Sequence, residues 1–363
     1  GEKIRSRQAE IVSPEPQNPE EVPWPTGDLL SEEKPPGVDM LGLEEALDWA
    51  FSEPDPERLR RTRAVVVVYN GQIIAERYAS GITKDTPLIG WSMTKSVINA
   101  LVGILVGQGK IALQAPAPVP EWQDPDDPRH AITVDHLLRM SSGLRFIEEY
   151  EENPTSDVDI MLFTKPDTAA FAASFPLEAE PDTRWHYSSG TSNILSRIIR
   201  QCFPDDTAYW AFPRKALFNR IGMRTAVFET DASGTFVGAS FLYASARDWA
   251  RFGLLYLNEG VWEGERILPE GWVEYTTTPT PTNTRGSYGA HFWLNRGNRD
   301  NPEDRPFPRL PRDLFSCEGY QGQFVMILPS RNLVVVRLGM TTHGGWNMEE
   351  FMLKTLDALP EPH

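Results

Sequence analysis

The sequence predicts an α+β fold: an antiparallel sheet flanked by helices, with a mostly helical insert between the two chain segments that build the sheet. Three observations point there. Residues 64–69 and 72–78 are two Val/Ile-rich runs joined by Asn70-Gly71, a strong hairpin signal. A second pair, residues 322–328 and 333–338, is joined by Pro329-Ser330-Arg331-Asn332 near the other end. Between the two pairs the apolar residues recur at helical spacing. With 363 residues and 40% hydrophobic content the chain has material for a large core.

Taken in order, residues 1–38 form an acidic arm with prolines at 14, 16, 19, 23, 25, 35 and 36 and few apolar anchors, which wraps a surface or stays mobile. Residues 41–52 place Leu43, Ala46, Leu47 and Ala50 on one helical face, so a helix precedes the first strand. The apolar run from Val97 to Val106 predicts a buried helix. Residues 116–129 are a Pro- and Asp-rich loop, and residues 133–140 a short helix capped by Thr133 and ended by Ser141-Ser142-Gly143. Residues 145–165 read as polar and irregular; residues 167–175 and 193–202 read as helices, the second entered from Tyr187-Ser188-Ser189-Gly190. Two more helices, 244–258 and 268–278, flank a Gly-rich turn at 261–264. Residues 279–312 are a long loop of the kind often tied to function, and residues 347–359 a closing helix. The expected organisation is an arm (1–38), a sheet region (39–84 with 226–363) and a helical region (85–225), with the active site in the cleft between the last two.

Composition narrows the function. A net charge of −16 argues against a nucleic-acid or anionic-membrane partner and would repel polyanionic substrates. No apolar run reaches the length of a membrane span. The six histidines have no paired ligand spacing, so no metal site is expected. Cys202 and Cys317 lie far apart and read as two inert thiols, one disulfide being the alternative. The chain starts at Gly1, which reads as a scar. A signal or membrane anchor removed before Glu2 would place the protein in the periplasm or otherwise outside the cytoplasm. The oligomeric state has no signature in the sequence.

The chemistry centres on Gly90-Trp91-Ser92-Met93-Thr94-Lys95-Ser96. Ser92 can cap the helix that follows, and Lys95, three residues on, emerges on the same face. The helix dipole and burial both disfavour a protonated lysine, which sets a general base beside a nucleophilic hydroxyl. S-x-x-K spacing alone fits equally a capping serine with a surface lysine; its place at the mouth of a buried helix favours chemistry. A second candidate, Tyr187, sits in Trp185-His186-Tyr187-Ser188-Ser189-Gly190, a turn opening a helix. Against Lys95 it could relay a proton from Ser92 to a leaving group. The third, Glu318-Gly319-Tyr320-Gln321-Gly322-Gln323, runs into an apolar strand whose edge could supply a backbone N–H to an oxyanion. No G-x-S-x-G elbow is present, which disfavours an α/β-hydrolase. Trp91 and Trp185, among eleven tryptophans, suggest an apolar cleft suited to neutral acyl chains.

Ser92-Met93-Thr94-Lys95, Tyr187-Ser188-Ser189 and Tyr320-Gln321-Gly322 resemble, in order and spacing, the three motifs of the serine β-lactamase and penicillin-binding superfamily. The similarity is to its class C, DD-peptidase and esterase branch and runs over residues 41–359. Within it the chain looks most like the 6-aminohexanoate-dimer hydrolases, whose second motif is likewise Tyr-x-Ser and whose third lacks lysine. The resemblance implies a β-lactamase-like fold and a cofactor-free hydrolase acting on a small amide or ester through an acyl-enzyme. Ser92 would be the nucleophile, Lys95 its base and Tyr187 the relay. Tyr150, on the loop after Ser-Gly-Leu, would bond the amide leaving nitrogen. The N–H groups of Ser92 and Gln323 would form the oxyanion hole, and Ser189, Tyr320, Gln321, Gly322, Trp91 and Trp185 would contact substrate. Where β-lactamases present Lys or His, this chain has Tyr320, which implies weak or absent β-lactam turnover. A promiscuous carboxylesterase and a non-catalytic binding protein of the same fold are the alternatives.

Overall fold

The computed structural model describes residues 18–150, 153, 155–298, 300–301, 303–342 and 344–361. After the arm comes α1 (Met40–Phe51), capped by Asp39, whose carboxylate accepts from the N–H groups of Leu41 and Gly42. Strands β1 (Thr62–Tyr69) and β2 (Gln72–Tyr78) follow, with Asn70 and Gly71 both at positive φ, as a tight primed turn requires. A short β3 (Leu88–Ile89) leads to α2 (Met93–Gly107). The middle contains α3 (Val134–Leu138), α4 (Asp157–Thr164), α5 (Thr168–Ala173), α6 (Ser189–Gln201) and α7 (Asp206–Pro213). Next come β4 (Val227–Phe228), β5 (Leu242–Ala244), α8 (Ala246–Leu257), β6 (Val261–Trp262), β7 (Glu265–Arg266) and α9 (Trp272–Thr277). The chain closes with β8 (Trp293–Leu294), β9 (Phe315–Gly319), β10 (Gln323–Leu328), β11 (Leu333–Gly339) and α10 (Met348–Asp357).

The principal sheet has the order β2-β1-β11-β10-β9-β8, with β1 and β11 antiparallel and Val66 opposite Val336. The two terminal hairpins therefore meet at its centre. Both faces are covered, which is why β1 and β11 read as unbroken valine runs rather than alternating ones. Val65, Val67 and Val335 pack with Leu43 and Leu47 of α1 and Phe351 of α10. Val66, Val68 and Val334 on the other face pack with Phe252 of α8 and Leu101 of α2. All of α2 from Met93 to Leu105 is buried.

Several elements differ from the sequence reading. The stretch 145–165 holds a helix, α4, and α6 starts at Ser189, four residues before the apolar periodicity. The long 279–312 segment contributes β8 to the sheet, and β9, too polar to read as a strand, is its partner. The boundary expected at residue 85 is bridged by a small sheet in which β3 pairs with β5. Residues 1–17 of the arm lie outside the described residues; the rest wraps the body. Trp24 Nε1 donates to Gly71 O at 3.0 Å, and the buried Asp28 carboxylate meets Arg251 at 2.7 Å and Arg224 at 2.5 Å. Cys202 and Cys317 are both free.

Candidate active site

Trp91 holds a left-handed φ of +47° between Gly90 and Ser92, a conformation a bulky residue adopts only when its surroundings enforce it. A Cβ on Gly90 would lie 2.4 Å from the Trp249 ring, so only glycine fits the approach to the turn. Ser92 stands at the N-cap position of α2 but does not cap it; its backbone is already helical and its side chain makes no cap hydrogen bond. Instead Lys95 Nζ donates to Ser92 Oγ at 2.9 Å, to Ser189 Oγ at 3.0 Å and to Ala239 O at 2.9 Å. Lys95 is 1% exposed. Burial lowers its ammonium from the ordinary 10.5 to about 8, with the Glu148 carboxylate opposing the shift. Behind it, His291 is held neutral by burial and by Lys95, its pKa lowered to about 3.

Tyr187 stacks on Trp293 with ring centroids 5.4 Å apart and meets Tyr288 edge-on at 5.9 Å. Lys95 Nζ lies 5.0 Å from its ring centroid. Burial and the nearby Glu148 charge push the phenol well above its usual range, while its contact with Ser92 works the other way. Tyr187 therefore stays protonated and faces Ser92. Trp185, expected to contact substrate, packs on Tyr288 and Trp293 instead, supporting Tyr187 from behind.

The residue that sequence reasoning missed is Glu148. Its carboxylate accepts from Ser189 N at 2.8 Å, from Ser189 Oγ at 2.5 Å and from the Tyr150 hydroxyl. Ser189, expected to contact substrate, is fully buried and bridges the Lys95 amine and the Glu148 carboxylate. Tyr150 stacks on Tyr320 at 5.4 Å. Both line a cleft of about 120 Å³ with Trp91, Ser92, Leu162 and Phe163, and Asp159 of α4 puts a carboxylate into that otherwise apolar wall.

The third motif sits differently from the expectation. Strand β10 is interior, flanked by β9 and β11, and Gln323 pairs with Gly319. The Gln323 side chain is buried and bonds Tyr320 O, Gln321 O and Gly339. Gln321 and Gly322, both at positive φ, form the turn, and their carbonyls accept from the buried Arg337. The edge that faces Ser92 is the end of β9: β8 pairs only with Phe315 and Ser316, and a Cβ on Gly319 would sit 2.2 Å from Gly90 O. Tyr320, next in the chain, is the third-motif residue that lines the cleft. Among the described residues no group of three His, Cys, Asp or Glu side chains could hold a metal, and no helix is long and apolar enough to cross a membrane.

A β-lactamase-like sheet-and-helix fold with a buried Ser-Lys pair at a helix entrance defines a class, and comparison with known proteins agrees: the Beta-lactamase family profile matches residues 50–359, and the chain belongs to that family. It is a serine hydrolase. The 6-aminohexanoate-dimer hydrolase of Paenarthrobacter ureafaciens is 24% identical over 299 residues, which are 76% of this chain and 72% of that one. Esterase EstB of Burkholderia gladioli is 30% identical over 186 residues, 45% of this chain and 46% of that one. Among solved structures, EstCE1, a hydrolase with promiscuous acyltransferase activity, superposes with a TM-score of 0.68 at 16% identity, covering 88% of this chain and 99% of that chain.

Proposed function

We propose that this hydrolase cleaves a small amide, with an acyl half like that of 6-aminohexanoate oligomers, through an acyl-enzyme on Ser92. The observation that carries the reading is the 2.9 Å hydrogen bond between Lys95 Nζ and Ser92 Oγ. In the neutral form of the amine the same contact runs in reverse, and Lys95 takes the proton as Ser92 attacks the carbonyl. The backbone N–H of Ser92 and, in place of that of Gln323, the N–H of Tyr320 would stabilise the oxyanion. Tyr187 gives its proton to the leaving nitrogen and recovers one through Lys95. Water then hydrolyses the ester on Ser92 by the same steps in reverse order.

Two features favour an amide with an ω-amino acyl chain. Tyr150 lies in the cleft with Ser92, where its hydroxyl can turn from Glu148 to the leaving nitrogen. Asp159 offers the acyl end a charge partner beyond the apolar wall formed by Leu162 and Phe163. The carboxylesterase reading is favoured by the Tyr150 hydroxyl being engaged by Glu148, since ester leaving groups need no such donor. Intact-mass spectrometry with a p-nitrophenyl ester and with 6-aminohexanoate dimer, on wild type beside Ser92→Ala, separates the readings. A transient adduct on wild type alone with amine release from the dimer supports the amidase. An adduct without amide turnover moves the assignment to the esterase, and no adduct from either substrate removes the acyl-enzyme.

A further inference from the structure

Beyond Tyr187 lies a second cavity, of about 270 Å³, enclosed by the 285–314 segment and the end of β9. Trp293, on which Tyr187 stacks, forms one wall. Glu318, immediately before the Gly319 that abuts Gly90, forms another. The cavity thus borders the Tyr187 side of the site through Trp293 and the end of β9 through Glu318. Leu294, Phe307 and Leu314 make much of the remaining lining apolar.

Two charged side chains reach this space, and they are not equivalent. Arg285, at the rim, is 64% exposed and has Asp304 at 3.6 Å as its counter-ion. Glu318 has no cation partner among the described residues; the hydrogen bond it accepts comes from Ser316 Oγ at 2.8 Å. Burial raises its carboxyl to about 7, the mark of a site where a cation would be welcome. The neighbouring Asn295 amide is already saturated, donating to Phe307 O, Leu310 O and Pro311 O and accepting from Phe307 N.

We propose that this cavity receives the leaving-group half of the substrate, and that Glu318 selects a leaving amine bearing a cationic head, as in a mono-acylated diamine, over one bearing a carboxylate. The proposal rests on the amide-hydrolase reading above. In that reading Tyr187 protonates the leaving nitrogen as the C–N bond breaks and the C–O bond to Ser92 forms. The rest of the leaving group then points to Tyr187's side of the nucleophile, toward Trp293 and Glu318. An ammonium there meets an unpaired carboxylate, whereas a carboxylate meets a like charge. The net charge of −16 adds the same preference at longer range.

The test is inhibition of p-nitrophenyl acetate hydrolysis at pH 8 by free 1,5-diaminopentane, 5-aminopentan-1-ol and 6-aminohexanoate, which share an amine and differ in the distal head group, in wild type and Glu318→Gln. Wild type is expected to bind the diamine at least about tenfold more tightly than the amino alcohol, with 6-aminohexanoate weakest, and Glu318→Gln to bring the diamine-to-amino-alcohol ratio close to one. Because the readout is a ratio within each protein, a general loss of activity in the variant does not imitate it. Equal inhibition by all three compounds in wild type, which needs no variant at all, overturns the proposal; so does a ratio that survives Glu318→Gln. Failure of the underlying reading shows separately, as wild type that hydrolyses p-nitrophenyl acetate through Ser92 yet releases no amine from 6-aminohexanoate dimer or from mono-acylated 1,5-diaminopentane.

Discussion

Glu148→Gln should move the ascending, acidic limb of the pH–rate profile to lower pH. Ser189 Oγ bridges Glu148 and Lys95 with contacts of 2.5 and 3.0 Å. The two charges are therefore on the order of 5 Å apart, and at an effective dielectric near 20 they attract by about 3 kcal/mol. Solvent in the open cleft screens part of this, leaving about one to two pK units. Glu148 favours the ammonium, so removing its charge lowers Lys95 further, from about 8 toward 7 or below. The base is the neutral amine. In wild type the neutral fraction is about one-tenth at pH 7 and about nine-tenths at pH 9, so kcat/KM for a p-nitrophenyl ester should climb about tenfold between them. In Glu148→Gln most of that climb should be complete by pH 8, with a flat profile above. Glutamine keeps an acceptor for Ser189 N–H, and thermal unfolding checks that the site is still assembled. A limb that stays at 8 or moves upward would refute the Glu148–Lys95 coupling, and a profile without a limb in either protein would refute Lys95 as the base.

Three further outcomes follow from contacts elsewhere. Lys95→Met should abolish ester hydrolysis yet stabilise the fold at pH 7 by up to about 3 kcal/mol. The folded pKa of about 8 lies below the unfolded 10.5, so the penalty is fully present below pH 8 and disappears as pH rises toward 10.5; urea unfolding at pH 7 and pH 10.5 reads this. Gly319→Ala should still fold, but its Cβ, 2.2 Å from Gly90 O, must drive β9 from the start of α2 and cut single-turnover acylation on the order of a hundredfold. Unchanged acylation would remove Gly319 from the site. Asp28→Asn should cost about 3 kcal/mol at pH 7, because it takes one of the two carboxylates from the buried Arg251. Burial opposes ionisation of Asp28, but Arg251 and Arg224 outweigh it and hold the carboxyl near 2. Its contribution is therefore complete above pH 3.8 and lost as pH falls through 2, so wild type and variant should converge in acid unfolding there.

What the sequence made legible is what short spacing encodes. Asn70-Gly71 between valine runs specifies a hairpin, and Leu43, Ala46, Leu47 and Ala50 share a helical face that the structure buries. Ser92 and Lys95, three apart on one helix, meet in space because the helix brings them together. Glu148 had no such signal. Its neighbour Glu149 is equally acidic, and only the distant start of α6, presenting Ser189 N–H and Oγ together, distinguishes the two. Strand β9 was hidden for a related reason: its Ser-Cys-Glu-Gly stretch borders the site, where polar residues replace the β-branched ones that mark strands. The proposed oxyanion donor moves from Gln323 to Tyr320 because two glycines, 319 and 322, both suit a turn in sequence. In space Gly322 holds a left-handed turn, while Gly319 makes the close approach to Gly90.

The non-local residues are also those that tune the local pair. Burial in α2 lowers the Lys95 ammonium. Glu148, fastened to Ser189 by two hydrogen bonds, pulls the other way, and the balance leaves the lysine at about 8. An amine at that value is close enough to neutrality for proton transfer in either direction. Glu148 is itself held by the N–H of the first residue of α6, so the α6 terminus takes part in placing the charge that acts on Lys95. The Ser-Lys spacing brings a hydroxyl and an amine together. The pairing of a loop carboxylate with a helix entrance forty-one residues further along the chain sets a charge that opposes the effect of burial on that amine.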